Sequence, residues 1–216
     1  LWYNKRRKQD VEQHFNQGKG GGFMSYVITI SRQYGSGGRE LGEKLAKKLG
    51  IPFYDKELIN LIAEKENIEV SLLEAYDEAE PDLDGYTARN IAPTYQMDMA
   101  RKVFDAYSRT IRNLAKEGPC VVVGRCADAI LLDSVRVFVY SDLDSRIHRI
   151  RAKEGLAPEQ AKKHIEQMDK RRRDYRRFYC HMEWGKMEHY DICLNTGRVG
   201  VDGALKTLLT YLDQRK

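Results

Sequence analysis

The stretch from Tyr26 to Leu49 constrains the fold most. Tyr26-Val-Ile-Thr-Ile30 is a short β-branched run, and Gly35-Ser36-Gly37-Gly38 is a glycine turn. From Arg39 onward, leucines at 41, 45 and 49 recur about one helical turn apart, until Gly50-Ile51-Pro52 stops the pattern. A strand feeding a helix through such a turn is half of a β-α-β unit. The turn aims several backbone N–H groups and the positive end of the helix dipole at one point, which suits a phosphate. Gly35, Gly37 and Gly38 permit positive φ and close approach, and the Ser36 hydroxyl adds a donor. Glycine turns also occur for purely conformational reasons, so the remaining chain has to decide.

The remaining chain keeps alternating. A strand fits Pro52–Tyr54, a helix about Lys56–Lys65, and a short helix follows that Ser71 and Glu74 would cap as a box. Pro81–Pro93 is acidic and reads as a loop, and Gln96 to Ala115 carries a helical period (Met99, Val103, Ala106, Ile111, Leu114). Cys120–Val123 is an apolar strand closed by Gly124-Arg125. Val135–Tyr140 is another, with Ser141 or Asp142 capping a helix to about Lys153. Pro158 opens a long basic helix, Asp191–Leu194 is a fifth strand, and Val201–Leu212 closes the chain. Five strands alternating with helices predict an α/β fold with a doubly wound five-stranded parallel sheet.

The net charge of +5 would hint at nucleic acid were it spread evenly, but it is segmented. Residues 56–98 hold three basic against eleven acidic side chains, and residues 146–177 hold twelve basic against five acidic. That arrangement suits a small anionic ligand better than a coating of polyanion, so nucleic acid is not the expected partner. No run approaches the ~18 apolar residues of a membrane helix. Four scattered cysteines without a CxxC pair argue against zinc and fit reduced thiols in a cytoplasmic protein. Residues 1–23 show neither an amphipathic period nor a signal-peptide core. Gly18-Lys19-Gly20-Gly21 fits purine-rich codons just before Met24, so this segment reads as upstream sequence, with a disordered basic tail as the alternative. The domain is expected over residues 24–216.

Several ordered stretches together carry a family likeness: ITISRQYGSGGRELGEKLAKKLGIPFYDKELI, VVVGRCADAILL, VFVYSDLDSRIHRI, MDKRRRDYRRFY and YDICLNTGRVGVDGA. From Met24 to the C-terminus the chain resembles the cytidylate kinase-like family of P-loop proteins of nucleoside-monophosphate-kinase type. The resemblance implies a basic helical lid at about residues 158–185, ATP with Mg²⁺ as phosphoryl donor, and a nucleoside monophosphate (CMP-like) or other small acceptor. The chain departs from GxxxxGK[ST] at the phosphate loop. Arg32 takes the first glycine position, Gly38 stands where the lysine belongs, and Arg39 and Glu40 replace the small and hydroxyl residues that follow. The lysine ordinarily reaches the β/γ-phosphates and the hydroxyl holds Mg²⁺. Arg32 or Arg39 could supply the missing cation, and Glu40 beside a triphosphate would repel unless it helps hold a metal ion.

On the acceptor side the resemblance points to Asp55 and to Arg125, the latter matching the arginine of a GRD motif whose aspartate is Cys126 here. Asp55 could equally cap the following helix. Replacing Arg125 should then weaken acceptor binding with little change in stability. The resemblance implies a catalytic DxxR element in the lid, which fits twice, as Asp169/Arg172 and as Asp174/Arg177; Arg172 or Arg177 would bring positive charge to the transferred phosphoryl group, and Asp169 would contribute to the acceptor side. Arg146 and Arg149 share a helical face that could flank the donor, and Asn195-Thr196 resembles an end-of-strand DT/S. Tyr175, Phe178, Tyr179 and Trp184 could stack on bases, but their near-helical spacing favours packing of the lid. The leading reading is a nucleotide-dependent phosphotransferase, and the alternative is a nucleotide- or phosphometabolite-binding regulator that turns over little for want of the lysine. The acidic segment 70–98 with the helix after it fits either an acceptor insert or a homodimer contact.

Overall fold

The computed structural model describes residues 27–77 and 92–215. The upstream segment 1–23, Met24 and most of the acidic loop expected after Pro81 lie outside the described residues. Strand β1 (Ile28–Arg32) runs through the glycine turn into helix α1 (Gly38–Leu49). Then come β2 (Phe53–Tyr54), α2 (Glu57–Glu66), α3 (Val70–Ala75) and α4 (Ala92–Glu117). After β3 (Val121–Val123) and the short α5 (Ala127–Ile130), the chain forms β4 (Val135–Tyr140), α6 (Leu143–Glu154) and α7 (Pro158–Cys180). A 3₁₀ turn (Met187–His189) leads to β5 (Ile192–Asn195) and α8 (Thr196–Gln214).

The five strands pair in the order β2-β3-β1-β4-β5, all parallel. This is the doubly wound sheet the alternation implies. β1 lies at its centre, with Ile28 level with both Val121 and Val135. Every residue of β1 is buried, and period-2 alternation sends Ile28 and Ile30 to one face of the sheet and Thr29 and Ser31 to the other. Ile28, Ile30, Val121, Val123 and Val137 meet Leu41 and Leu45 of α1 and Val201, Ala204 and Leu208 of α8. On the other face Val122 meets Leu58 and Ile62 of α2, Leu73 of α3, and Val103, Tyr107 and Ile111 of α4. Burying each such side chain is worth roughly 1.5–3 kcal/mol, so the two cores fix the height at which each strand ends. The polar Thr29 of β1 is satisfied by the Ser134 hydroxyl at 2.9 Å.

Some boundaries differ from expectation for identifiable reasons. Ser71 does not cap α3. The helix starts at Val70 after Glu69, without a side-chain cap, and that phase buries Leu73 completely. α4 begins at Ala92, so Pro93 falls in its first turn, where a missing N–H costs no intrahelical bond. α8 begins at Thr196, with Asn195 as the cap accepting from Gly197 N, and breaks at Gly200 before the expected stretch resumes. Asp142, not Ser141, caps α6 by accepting from Ser145 N.

Candidate phosphate site and its guanidinium–carboxylate network

Residues 33–37 carry the chain from the end of β1 into α1, and Gly35 and Gly37 both take φ of +78°. Side chains of α6 and α8 close in around them. A Cβ on Gly37 would lie 2.8 Å from Val201 and 3.2 Å from the Arg149 guanidinium carbon. Gly38 is different: its backbone is helical and positive φ is not what it needs. Space is what it needs, because a Cβ there would sit 2.5 Å from Arg32 Cβ and 3.0 Å from Arg32 Cγ. The first-turn N–H groups of α1 have no partner within the helix and lie beside this loop.

Ser36 does not offer its hydroxyl to a ligand, contrary to the sequence reading. The side chain is buried, with Oγ 2.8 Å from Gln33 O and 3.1 Å from Val139 O. Its own carbonyl accepts from Thr196 Oγ1 at 2.6 Å. Ser36 thus pins the loop to the ends of β4 and β5, and Thr196 of the Asn195-Thr196 pair is the clasp.

The two departures at Arg32 and Gly38 are one physical change. With a glycine at 32, the space over position 38 would be open for a lysine. With an arginine at 32, its Cβ and Cγ fill that space, and only glycine fits at 38. Arg32 is buried at the strand end, 3.6 Å from Asp55 Oδ1. A cation therefore still lines the cleft beside the loop, rooted on β1 instead of α1, with its guanidinium turned to Asp55.

Asp55 joins the guanidiniums at the end of β2. It accepts from Arg125 at 2.9 Å through Oδ1 and pairs with Arg39 Nε at 2.8 Å through Oδ2. It does not cap α2, whose N-cap is Lys56. Arg39 is half exposed and also pairs with Glu57 at 3.4 Å. Arg125 has a φ of +51° and is almost wholly buried. Its Nε and one Nη donate to the two oxygens of Asp77 at 2.8 and 2.9 Å, its other Nη to Asp55 and to Val123 O. The Tyr107 hydroxyl donates to Asp77 at 3.2 Å. The expectation that Arg125 can be replaced with little change in stability does not fit this network, because the buried Asp55 and the partly exposed Asp77 both accept from it.

Helices α6 and α7 close the other side. Asp169 accepts from Tyr34 N at 2.7 Å and from Arg146 at 2.5 Å. It braces the glycine loop, away from the acceptor role the sequence suggested. Arg172, one turn on, donates to Arg32 O at 3.0 Å and lies 5.5 Å over the Tyr34 ring. Asp169/Arg172 is thus the DxxR pair that faces the loop. Arg177 is largely exposed and pairs with Asp174 at 3.3 Å, so the expected catalytic position for it is not met. Glu40 pairs with Arg149 and, at 3.0 Å, with Lys44. Burial pushes the Glu40 carboxyl up, but the bonds from Lys44 and Arg149 outweigh it and hold the group below the usual range. Its charge is committed to positioning Arg149 over Gly37. Tyr34 hydrogen-bonds Glu154 at 2.7 Å; burial first, and that bond second, push its hydroxyl up to about 12.

Between these walls lies a cleft of 730 Å³ lined by Arg32, Gly35, Gly37, Gly38, Arg39, Glu40, Asp55, Lys56, Arg125, Arg149, Lys153, His164 and Arg172. Candidate residues far apart in sequence, from Arg32 to Arg172, thus share one cavity, whereas Ser36, Asp169 and Arg177 do not line it. Among the described residues no group of three or more His, Cys, Asp or Glu side chains is placed to hold a metal ion, and no helix is long and apolar enough to cross a membrane. The α7 aromatics pack inward: Tyr179 stacks on Phe104 of α4 at 4.5 Å, and Trp184 meets Phe138 edge-on. Sequence reasoning missed Asp77 and Tyr107, and it missed that Arg176 is buried against Asp128 at 2.5 Å. The only available signal was acidic residues beside apolar runs, as in Cys126-Ala-Asp-Ala-Ile130.

The chain is similar to known proteins along most of its length. The chain is 25% identical over 187 residues to a cytidylate kinase of Methanothrix thermoacetophila, covering 86% of this chain and 97% of that one. It is 24% identical over 193 residues to a cytidylate kinase of Pyrococcus horikoshii, covering 87% and 90%. A crystal structure of an uncharacterized protein from Eubacterium ventriosum superposes with a TM-score of 0.67 at 30% identity, covering 88% of this chain and 99% of that one. The profile of the cytidylate kinase-like family matches residues 27–198, from the first residue of the described domain to the start of α8. The chain belongs to the cytidylate kinase-like family.

Proposed function

We propose that the protein is an ATP-dependent phosphotransferase that moves the γ-phosphoryl group of a nucleotide onto a nucleoside monophosphate such as CMP. One observation carries this reading: Arg32 fills the volume above Gly38, so the loop exchanges a lysine for an arginine without losing its cradle or its cation. A loop that had merely decayed would have lost the lysine and gained nothing in its place.

The donor phosphates lie against the amides of Gly35, Gly37, Gly38 and Arg39, with Arg149 beside Gly37. Arg32 sits between the loop and Asp55, where the transferred group would pass, and neutralises its oxygens. Arg172 reaches the same region from α7, which acts with residues 158–185 as the lid, and Arg39 faces the cleft from the first turn of α1. Asp55 and Arg125 hold the acceptor side. Chemistry of this kind needs alignment and charge more than a general base. Among the described residues no group of three or more His, Cys, Asp or Glu side chains is placed to hold a metal ion, and Glu40 is committed to other partners, so Mg²⁺ would arrive on the nucleotide, which supplies most of its ligands. The protein's share of the work is to bind, align and neutralise.

The test is ADP release with ATP·Mg²⁺ across CMP, dCMP, UMP, AMP and phosphorylated small metabolites. Acceptor-dependent ADP release, strongest with a pyrimidine monophosphate, is the expected result. Tight nucleotide binding without ADP release for any acceptor would favour the regulator.

A further inference from the structure

Arg125 is already occupied. Asp77 takes two of its N–H groups in a fork at 2.8 and 2.9 Å and receives the Tyr107 hydroxyl at 3.2 Å. Three donors converging on two oxygens is the geometry that a phosphate group takes from an arginine and a tyrosine. The two carboxylates on Arg125 differ in position. The Asp55 side chain is 4% exposed and Asp77 20%, while Arg125 itself is 2% exposed, so Asp77 stands on the solvent side of the guanidinium. Asp77 follows directly on α3, and its backbone N–H is bonded to Glu74 O at 3.3 Å. A turn of its side chain would therefore free Arg125 without moving the chain.

We propose that Asp77 holds the acceptor-anion subsite in the absence of ligand, and that an acceptor enters by bringing a phosphate dianion that takes its place. The proposal rests on the reading of Arg125 as the acceptor-side arginine. With Asp77 swung away, the buried guanidinium would keep Asp55 but leave the two N–H groups of its fork unsatisfied, which is costly at a buried site unless another anion takes them. A third anion added beside Asp55 and Asp77 would meet like charge on both sides. Exchange satisfies both conditions: one anion leaves as another arrives. A phosphate monoester is close to a dianion at pH 7, with a second pKa of about 6, and brings the charge the exchange demands. A neutral hydroxyl compound does not. Asp77 therefore makes phosphate a condition of entry and is a specificity-determining residue that need not touch the bound acceptor.

Calorimetric titration of the full chain with CMP and with cytidine tests this, using wild type, Asp77→Asn and Arg125→Lys. Asp77→Asn removes the competing charge and should bind CMP about tenfold more tightly, which is about 1.4 kcal/mol, while cytidine gains nothing. Arg125→Lys should lose CMP affinity. If Arg125→Lys weakens CMP binding but Asp77→Asn leaves it unchanged or weaker, Asp77 is a fixed counter-ion and the exchange is refuted. If Arg125→Lys has no effect, or CMP binds to none of the three forms, the acceptor reading of Arg125 fails and takes the exchange with it. Should Asp77→Asn lose its fold, Asp77→Ser removes the same charge and keeps every donor of the subsite, and should likewise raise CMP affinity several-fold. No rise there would refute the exchange equally.

Discussion

Adding one methyl group at Gly38 should have opposite effects depending on what stands at position 32. In wild type the new Cβ would sit 2.5 Å from Arg32 Cβ, 3.0 Å from Arg32 Cγ and 3.3 Å from Val139 Cβ. Two of these atoms are rooted directly on strand backbone and cannot swing aside. Overpacking of this kind costs about 1–3 kcal/mol. Against it stands the gain of up to about 1 kcal/mol when alanine replaces glycine in a helix. Gly38→Ala alone should therefore destabilise by roughly 1–2 kcal/mol, a loss of about 2–8 °C in Tm for a domain of this size. Arg32→Gly removes both clashing Arg32 atoms at its own cost of about 0.5–1 kcal/mol for a glycine in a strand. In that background Gly38→Ala should become neutral or stabilising, a coupling of about 1–3 kcal/mol. Thermal and urea unfolding of the four proteins measure the cycle. The reasoning is refuted if Gly38→Ala is as costly with glycine at 32 as with arginine, or is stabilising in wild type.

Three further outcomes are expected. Arg125→Ala should cost about 1.5–3 kcal/mol of unfolding free energy, because it takes one partner from the buried Asp55 and both guanidinium bonds from Asp77; a urea-derived loss under 1 kcal/mol would contradict the network. Arg172→Ala should lower kcat/KM for ADP release by about 10²–10³, while Arg177→Ala, whose guanidinium points to solvent, stays within about twofold of wild type; equal losses would place both arginines wrongly. Asp191 pairs with Arg136 at 2.9 Å, and although burial pushes its carboxyl up, the Arg136 bonds outweigh this and hold it low. With a folded pKa below the unfolded value of about 3.9, its stabilisation is complete above that pH and is lost as pH falls through the folded value. Asp191→Asn should therefore lower Tm at pH 7 and cease to matter at pH values well below 3.9, and a Tm gap independent of pH would exclude the pairing.

What the sequence disclosed, and what it withheld, follows from the range of each interaction. The sheet was legible because β-branched runs such as Val135–Tyr140 and the leucine spacing of α1 are local patterns. The glycine loop was legible for the same reason. The meaning of Gly38 was not: it depends on where the Cβ of Arg32 points, six residues away across a turn. Asp77 and Arg125 are 48 residues apart, and nothing in an acidic stretch distinguishes the one carboxylate that meets a buried arginine. Two DxxR matches in α7 were equivalent as strings. Only the packing of α7 on α6, through Ile150, Ala161 and Ile165, turns Asp169 and Arg172 toward the loop and leaves Arg177 outside. Ser36 was misjudged because its hydroxyl finds carbonyls of the turn and of β4 that no one-dimensional pattern brings near it.

The central claim is that Arg32 and the loop amides together do what a phosphate loop with a lysine does. A crystal structure with a non-hydrolysable ATP analogue and Mg²⁺ tests it most directly. Phosphate oxygens within hydrogen-bond distance of the amides of residues 35–39 and of the Arg32 guanidinium are the expected result. A nucleotide bound elsewhere, or phosphates in the loop with Arg32 still turned to Asp55 and out of reach, would contradict it.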